Sequence, residues 1–175
     1  MGNPIEDDPE LAAAVGRVAS YWAHLEHHFA SLFGALTGLD MTMAVTVFSY
    51  FRSARTQRDV ILSSAKVSSR SEEKTFDRIK QVLSEYDRLA AVRNAIVHTP
   101  FGYETEGKNL YRMERERVSQ PGVFPYKKTP FTIQEVEGLL EPIKELIGNL
   151  RSLNLYIIEK PLRDAGVSMP DRLGD

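Results

Sequence analysis

Eight apolar residues, Leu11, Val15, Val18, Trp22, Leu25, Phe29, Leu32 and Leu36, recur at alternating spacings of four and three without interruption. That spacing places them all on one side of an α-helix of about seven turns. A helix with so long an apolar face persists in water only when other helices cover it, so the chain is committed to a layered helical architecture. The flanks agree. Asp8-Pro9 supplies an N-cap followed by proline at the first helical position, where its missing N–H costs nothing, and Gly38 supplies a stop.

Further helical segments follow. Asp40 is placed to cap a stretch carrying Ala44, Val47, Phe48 and Phe51, and a break near Ser53 separates it from one carrying Val60, Ile61 and Ala65. Ser69 and Glu72 have capping-box spacing ahead of a stripe of Phe76, Ile79, Leu83, Tyr86, Ala90 and Val97, which Pro100 ends. Thr132 and Glu135 repeat the capping-box spacing, with Phe131 and Val136 placed as a hydrophobic staple. The helix they open carries Val136, Leu139, Leu140, Ile143, Leu146, Ile147, Leu150, Leu153 and Ile157 on its apolar face. It is expected to kink at Pro142 and to end at Pro161.

Residues 100–131 read differently, because prolines and glycines punctuate short runs containing Tyr103, Leu110, Tyr111, Met113 and Val118. A β-hairpin turning near Gly107-Lys108-Asn109, then a loop, is expected. The fold class is therefore all-α: a bundle of four to five helices with a small hairpin and loop insertion between the third long helix and the last. One domain over residues 1–162 is expected, with 163–175 a loose tail.

Composition narrows the function classes. There is no cysteine, so disulfides and thiolate metal sites are out. The N-terminal sequence lacks the basic start and apolar run of a signal peptide, and no stretch reaches the ~18 apolar residues of a membrane span, which leads to a cytoplasmic expectation. Twenty-two Lys and Arg against 24 Asp and Glu give a net charge of −2, which argues against a generally basic nucleic-acid coat. The charge is uneven, however, with eight basic and four acidic residues over 51–80. Glycine-rich dinucleotide turns, phosphate loops, nucleophile elbows and HExxH are all missing, and no cofactor is expected.

Chemistry concentrates in Arg93-Asn94-Ala95-Ile96-Val97-His98. Arg93 falls inside the arc of the Ile79–Val97 stripe, and a guanidinium taken from water there needs a carboxylate, a partner chain or an anion. Asn94 and His98, four apart, stack on one side of the helix, next to the stripe. His98 lies in the last turn, where the helix dipole favours a positively charged side chain. Arg93 and His98 are ~140° apart around the axis and ~7.5 Å apart along it, so one straight helix presents them poorly to a single atom.

Arg-Asn, three residues and His at the end of the third long helix of a small bundle resembles the signature of the HEPN family, the higher eukaryote and prokaryote nucleotide-binding domains. The resemblance covers the helical frame over about residues 9–160, and its specific part is Arg93, Asn94 and His98. It implies a metal-independent endoribonuclease of toxin or defence type, in which the RNA 2′-hydroxyl attacks the adjacent phosphate. His98 would be the general acid or base, Arg93 would neutralise phosphoryl charge, and Asn94 would orient the phosphate or the imidazole. It further implies a homodimer with both motifs lining one cleft, and an antitoxin or regulatory protein as a possible partner. The toxin branch often carries tyrosine two residues after the histidine, where this chain has Pro100. Some relatives are non-catalytic RNA-binding or interaction modules, which is the alternative reading.

Two other clusters stand beside the motif. His24, His27 and His28 contain an i, i+4 pair able in principle to ligate zinc, against the plainer reading of solvated or interface histidines. Tyr103, Tyr111 and Tyr126 with Arg112, Arg115, Lys127 and Lys128 have the composition of a single-stranded RNA surface, against the plainer reading of a hairpin face.

Overall fold

A computed structural model describes residues 4–103, 109–115 and 126–167. Its elements in chain order are α1 (Pro4–Asp7), α2 (Pro9–Thr37), α3 (Met41–Ser49), α4 (Ala54–Val67), α5 (Glu73–Val97), β1 (Phe101–Tyr103), β2 (Leu110–Arg115), β3 (Tyr126–Pro130), α6 (Ile133–Glu137) and α7 (Leu140–Asp164). The class is mainly α, with one three-stranded antiparallel sheet in the order β1-β2-β3. The described residues gather into two compact units, 4–22 with 87–144 and 23–86 with 145–167, so α2, α5 and α7 each contribute to both.

α2 follows its pattern closely. The Asp8 carboxylate accepts from the N–H groups of Glu10 and Leu11, both at 3.0 Å, which satisfies donors that a helix start leaves open. Leu11, Val18, Trp22, Leu25, Phe29, Leu32 and Leu36 are buried. The helix stops at Gly38, whose φ of +78° is open to glycine at no steric cost. Its last carbonyls are satisfied from outside: Arg70 donates to Ala35 at 3.1 Å and the Ser68 hydroxyl to Leu36 at 2.6 Å.

In the second unit α3 starts at the expected cap, Asp40 accepting from the Met43 N–H, and α4 starts just after the expected break, where Ser53 serves as the cap and accepts from the Thr56 N–H. Phe33 meets Phe48 and Phe51 with ring centroids 5.8 and 6.3 Å apart, and Phe29 meets Tyr86 edge-on at 4.7 Å. The capping box assigned to Ser69 and Glu72 is not formed. A turn closed by the Ser71 N–H on the Ser68 carbonyl takes up Ser69, and α5 begins only at Glu73, the Glu72 carbonyl accepting from the Phe76 N–H at 2.8 Å.

The last helical segment also departs from expectation. The Thr132–Glu135 capping box forms, but the helix it opens is a single short turn, α6. The chain breaks at Gly138 and Leu139, and α7 starts afresh at Leu140. Pro142 then lies in the first turn of α7, where its missing N–H has no intrahelical acceptor to lose, so the kink expected there becomes a break just before it. Nor does Pro161 end the helix. α7 continues to Asp164 and closes through Gly166 (φ +72°), with the Val167 N–H on the Leu162 carbonyl at 3.0 Å and the Gly166 N–H on Arg163 at 3.0 Å. This pair of hydrogen bonds is the Schellman closure, which satisfies the carbonyls of Leu162 and Arg163 at the helix end.

In the first unit β1 and β2 form the expected hairpin; Gly107 and Lys108 of its proposed turn lie outside the described residues. The loop expected after it contains a third strand, β3, paired with Arg112 opposite Thr129 and Met113 opposite Lys128. Tyr126-Lys-Lys-Thr-Pro130 carries no apolar alternation, and as an edge strand β3 tolerates Pro130. Gly102 lies opposite Tyr111, whose buried ring is laid across it, so a Cβ on Gly102 would come within 2.6 Å of the ring and the hydroxyl. Gly102→Ala is therefore expected to destabilise the fold by about 1–3 kcal/mol in denaturant melts, since Tyr111 must leave its place. An unchanged midpoint would show that the ring relocates freely.

Candidate functional site

The inner face of α5 is built from Ile79, Val82, Leu83, Tyr86, Leu89 and Ile96, all buried. Arg93 stands on that line, four residues after Leu89 and three before Ile96, while Ala90 and Val97 of the expected stripe fall on its half-buried flank. The interruption of the apolar face by a guanidinium is thus a property of the fold.

The partners of that guanidinium among the described residues are neutral. Arg93 Nη1 donates to Asn94 Oδ1 at 3.1 Å, and Cζ lies 5.7 Å from the centroid of the Trp22 ring. Trp22, from α2, is only 4% exposed, so the cation rests on an aromatic face largely withdrawn from water. Such a contact contributes about 0.5–2 kcal/mol, more as the pair is desolvated. Arg93 Nε is buried and has no hydrogen-bond partner among the described residues. A donor in that state costs roughly 1–3 kcal/mol, a cost that stability alone does not explain.

Asn94 is exposed and turns its amide oxygen to Arg93. His98 is the first residue past α5, exposed, and still tied to the helix by its N–H on the Asn94 carbonyl at 3.0 Å. The helix end therefore carries a half-buried cation, an amide and an imidazole within six residues. Chemically, that is a set able to bind an anion and exchange a proton beside it. Trp22 was not legible as part of this site, because its place in the α2 stripe reads as core and no spacing links it to Arg93.

The other candidate clusters resolve differently. His24 and His27 are exposed and His28 is half-buried, and among the described residues no group of three His, Asp or Glu side chains is placed to hold a metal ion. Burial first, then the neighbouring His27, Arg151 and His24, pushes the His28 imidazole below its ordinary range. The unfolded chain then takes up a proton near pH 6.5 that the folded chain resists, so this contribution to stability is complete above that pH and fades as pH falls through the folded value. Melting temperature is expected to drop on acidification below about pH 6.5, and His28→Gln to flatten the drop. An identical slope in the variant would remove His28 as its source.

Tyr103 and Tyr111 of the sheet make contacts within the protein. The Tyr103 hydroxyl donates to Asp8 at 2.8 Å, and burial together with that carboxylate pushes its pKa up to about 12. Tyr111 is 3% exposed, with Lys128 Nζ 4.6 Å from its ring centroid. The buried Tyr111 ring is not presented for stacking on a base. The side chains of Arg115 and Tyr126 lie outside the described residues, while Lys127 and Lys128 are exposed.

No known protein family matches the chain, and neither a curated protein nor a solved structure matches it.

Proposed function

We propose that the chain is a HEPN-like, metal-independent endoribonuclease acting at the end of α5. The observation that carries this reading is Arg93: a half-buried guanidinium on the apolar face, with neutral partners among the described residues, beside Asn94 and five residues from an exposed His98. An arginine kept in that state suits an anion that arrives and leaves.

In the proposed reaction the RNA 2′-oxygen forms a bond to the adjacent phosphorus as the bond to the 5′-oxygen breaks. A base takes the 2′-hydroxyl proton and an acid returns one to the leaving 5′-oxygen, so the products are a 2′,3′-cyclic phosphate and a 5′-hydroxyl. His98 serves one of these proton transfers. Arg93 offsets charge developing on the phosphoryl oxygens, and Asn94 holds Arg93 or the phosphate in place. The second transfer is assigned to His98 of a second copy, which also removes the need for one helix to present both tips to one atom. Such a dimer has Arg93 and His98 at or beside a two-fold interface, and sedimentation is expected to show it at micromolar concentration. A strict monomer would overturn the composite site.

The test is incubation of purified protein with structured and single-stranded RNA in excess chelator, followed by analysis of fragment ends. Cyclic-phosphate ends are expected. Intact RNA with measurable binding would move the reading to a non-catalytic RNA-binding module.

A further inference from the structure

We propose that Trp22 is a positioning residue for Arg93, its ring holding the guanidinium in the orientation in which it receives phosphate; this rests on the ribonuclease reading above. Three observations meet at the contact. The ring is 4% exposed, so its place is fixed by the packing of α2 and not by solvent. The guanidinium lies over it at 5.7 Å and is tied at its far end to Asn94 at 3.1 Å, two anchors on a side chain that otherwise rotates about four bonds. Nε is buried with no hydrogen-bond partner among the described residues, so the arrangement is not one that maximises the arginine's own hydrogen bonding there.

The physical consequence is preorganisation. A free arginine loses rotamer entropy when it closes on a phosphate, whereas one already held loses little at that moment. An aromatic face suits the task better than a carboxylate, because it attracts the cation without neutralising it. The full charge stays available to the phosphoryl oxygens, where it is needed most in the transition state. Leucine at position 22 would keep the apolar stripe of α2 and lose this function.

Trp22 is also the only tryptophan in the chain, so its emission reports on the contact directly. Steady-state cleavage by Trp22→Tyr, Trp22→Phe and Trp22→Leu is expected to fall in kcat in that order, about threefold to tenfold for the rings and more for leucine, with KM moved less than about twofold. A ring acting only as core packing predicts losses that follow the unfolding midpoints instead, and that pattern would overturn the proposal. Emission of the unsubstituted chain gives an arm that does not depend on the variants folding. Arg93→Gln is expected to shift it, and a non-cleavable 2′-deoxy oligonucleotide is expected to shift it in the wild type but not in Arg93→Gln. Absence of any Arg93-dependent change overturns the positioning role. If the wild type leaves RNA intact, the ribonuclease reading fails by itself, and the emission arm still decides whether Trp22 orients Arg93 toward an anion.

Discussion

Replacing His98 with alanine is expected to lower RNA cleavage by about 10²- to 10⁴-fold, the contribution of one positioned acid or base. The fold should hardly notice. His98 is exposed and lies beyond the last residue of α5, and its one helical bond is made by a backbone N–H that alanine retains. Unfolding midpoints are therefore expected to agree within about 0.5 kcal/mol. Binding of a 2′-deoxy oligonucleotide should also survive, because the phosphate is assigned to Arg93 and not to the imidazole. Loss of cleavage with binding and stability retained is the signature of a group that moves protons. Cleavage that persists at the wild-type rate would remove the histidine from the mechanism.

The helical frame was legible wherever an apolar period met a chemical stop. Leu11 to Leu36 are bounded by Asp8-Pro9 and Gly38, and α2 runs between those limits because the caps and the stripe point to the same helix. Near the C-terminal end agreeing signals still gave the wrong helix length. Thr132 and Glu135 have ideal capping-box chemistry and form it, yet the box reports only a helix start and says nothing of length. The break at Gly138 and Leu139 was hidden because the apolar period continues across it through Val136, Leu139 and Ile143, all buried. Pro161 was read as a stop from local sterics, yet α7 runs on to Asp164, the Ala165 N–H still meets the Pro161 carbonyl at 3.2 Å, and Gly166 closes the end. β3 had no pattern to read, since its pairing is set by β2 and not by its own side chains.

For the site, the sequence located Arg93 on an apolar face and the structure places it there between Leu89 and Ile96. What the sequence could not supply was the partner. A helical period tells which side of α5 a residue takes, but the identity of the group across from it depends on the packing of α2. Trp22 and Arg93 are 71 positions apart in sequence, and the contact between them is a tertiary fact.

That contact fixes the expected behaviour of Arg93→Leu, which is a large loss of activity without a loss of stability. Leucine continues the line from Leu89 to Ile96 and covers the Trp22 face with apolar surface. It gives up a cation–π contact of about 0.5–2 kcal/mol and the hydrogen bond to the exposed Asn94. Against this, it removes a buried Nε whose missing partner costs roughly 1–3 kcal/mol. Unfolding stability should therefore stay level or rise by about 1–2 kcal/mol. Cleavage should fall by about 10²- to 10³-fold, the usual loss when a donor aimed at transition-state charge is deleted. Denaturant melts and initial rates of both proteins at one fixed concentration read the two effects together, the concentration being held because dimerisation shifts the midpoint. The opposite pairing, a loss of about 3–5 kcal/mol with cleavage intact, is what removal of one partner from a buried ion pair produces. It would return Arg93 to a structural role and leave His98 without the cation on which the proposed chemistry depends.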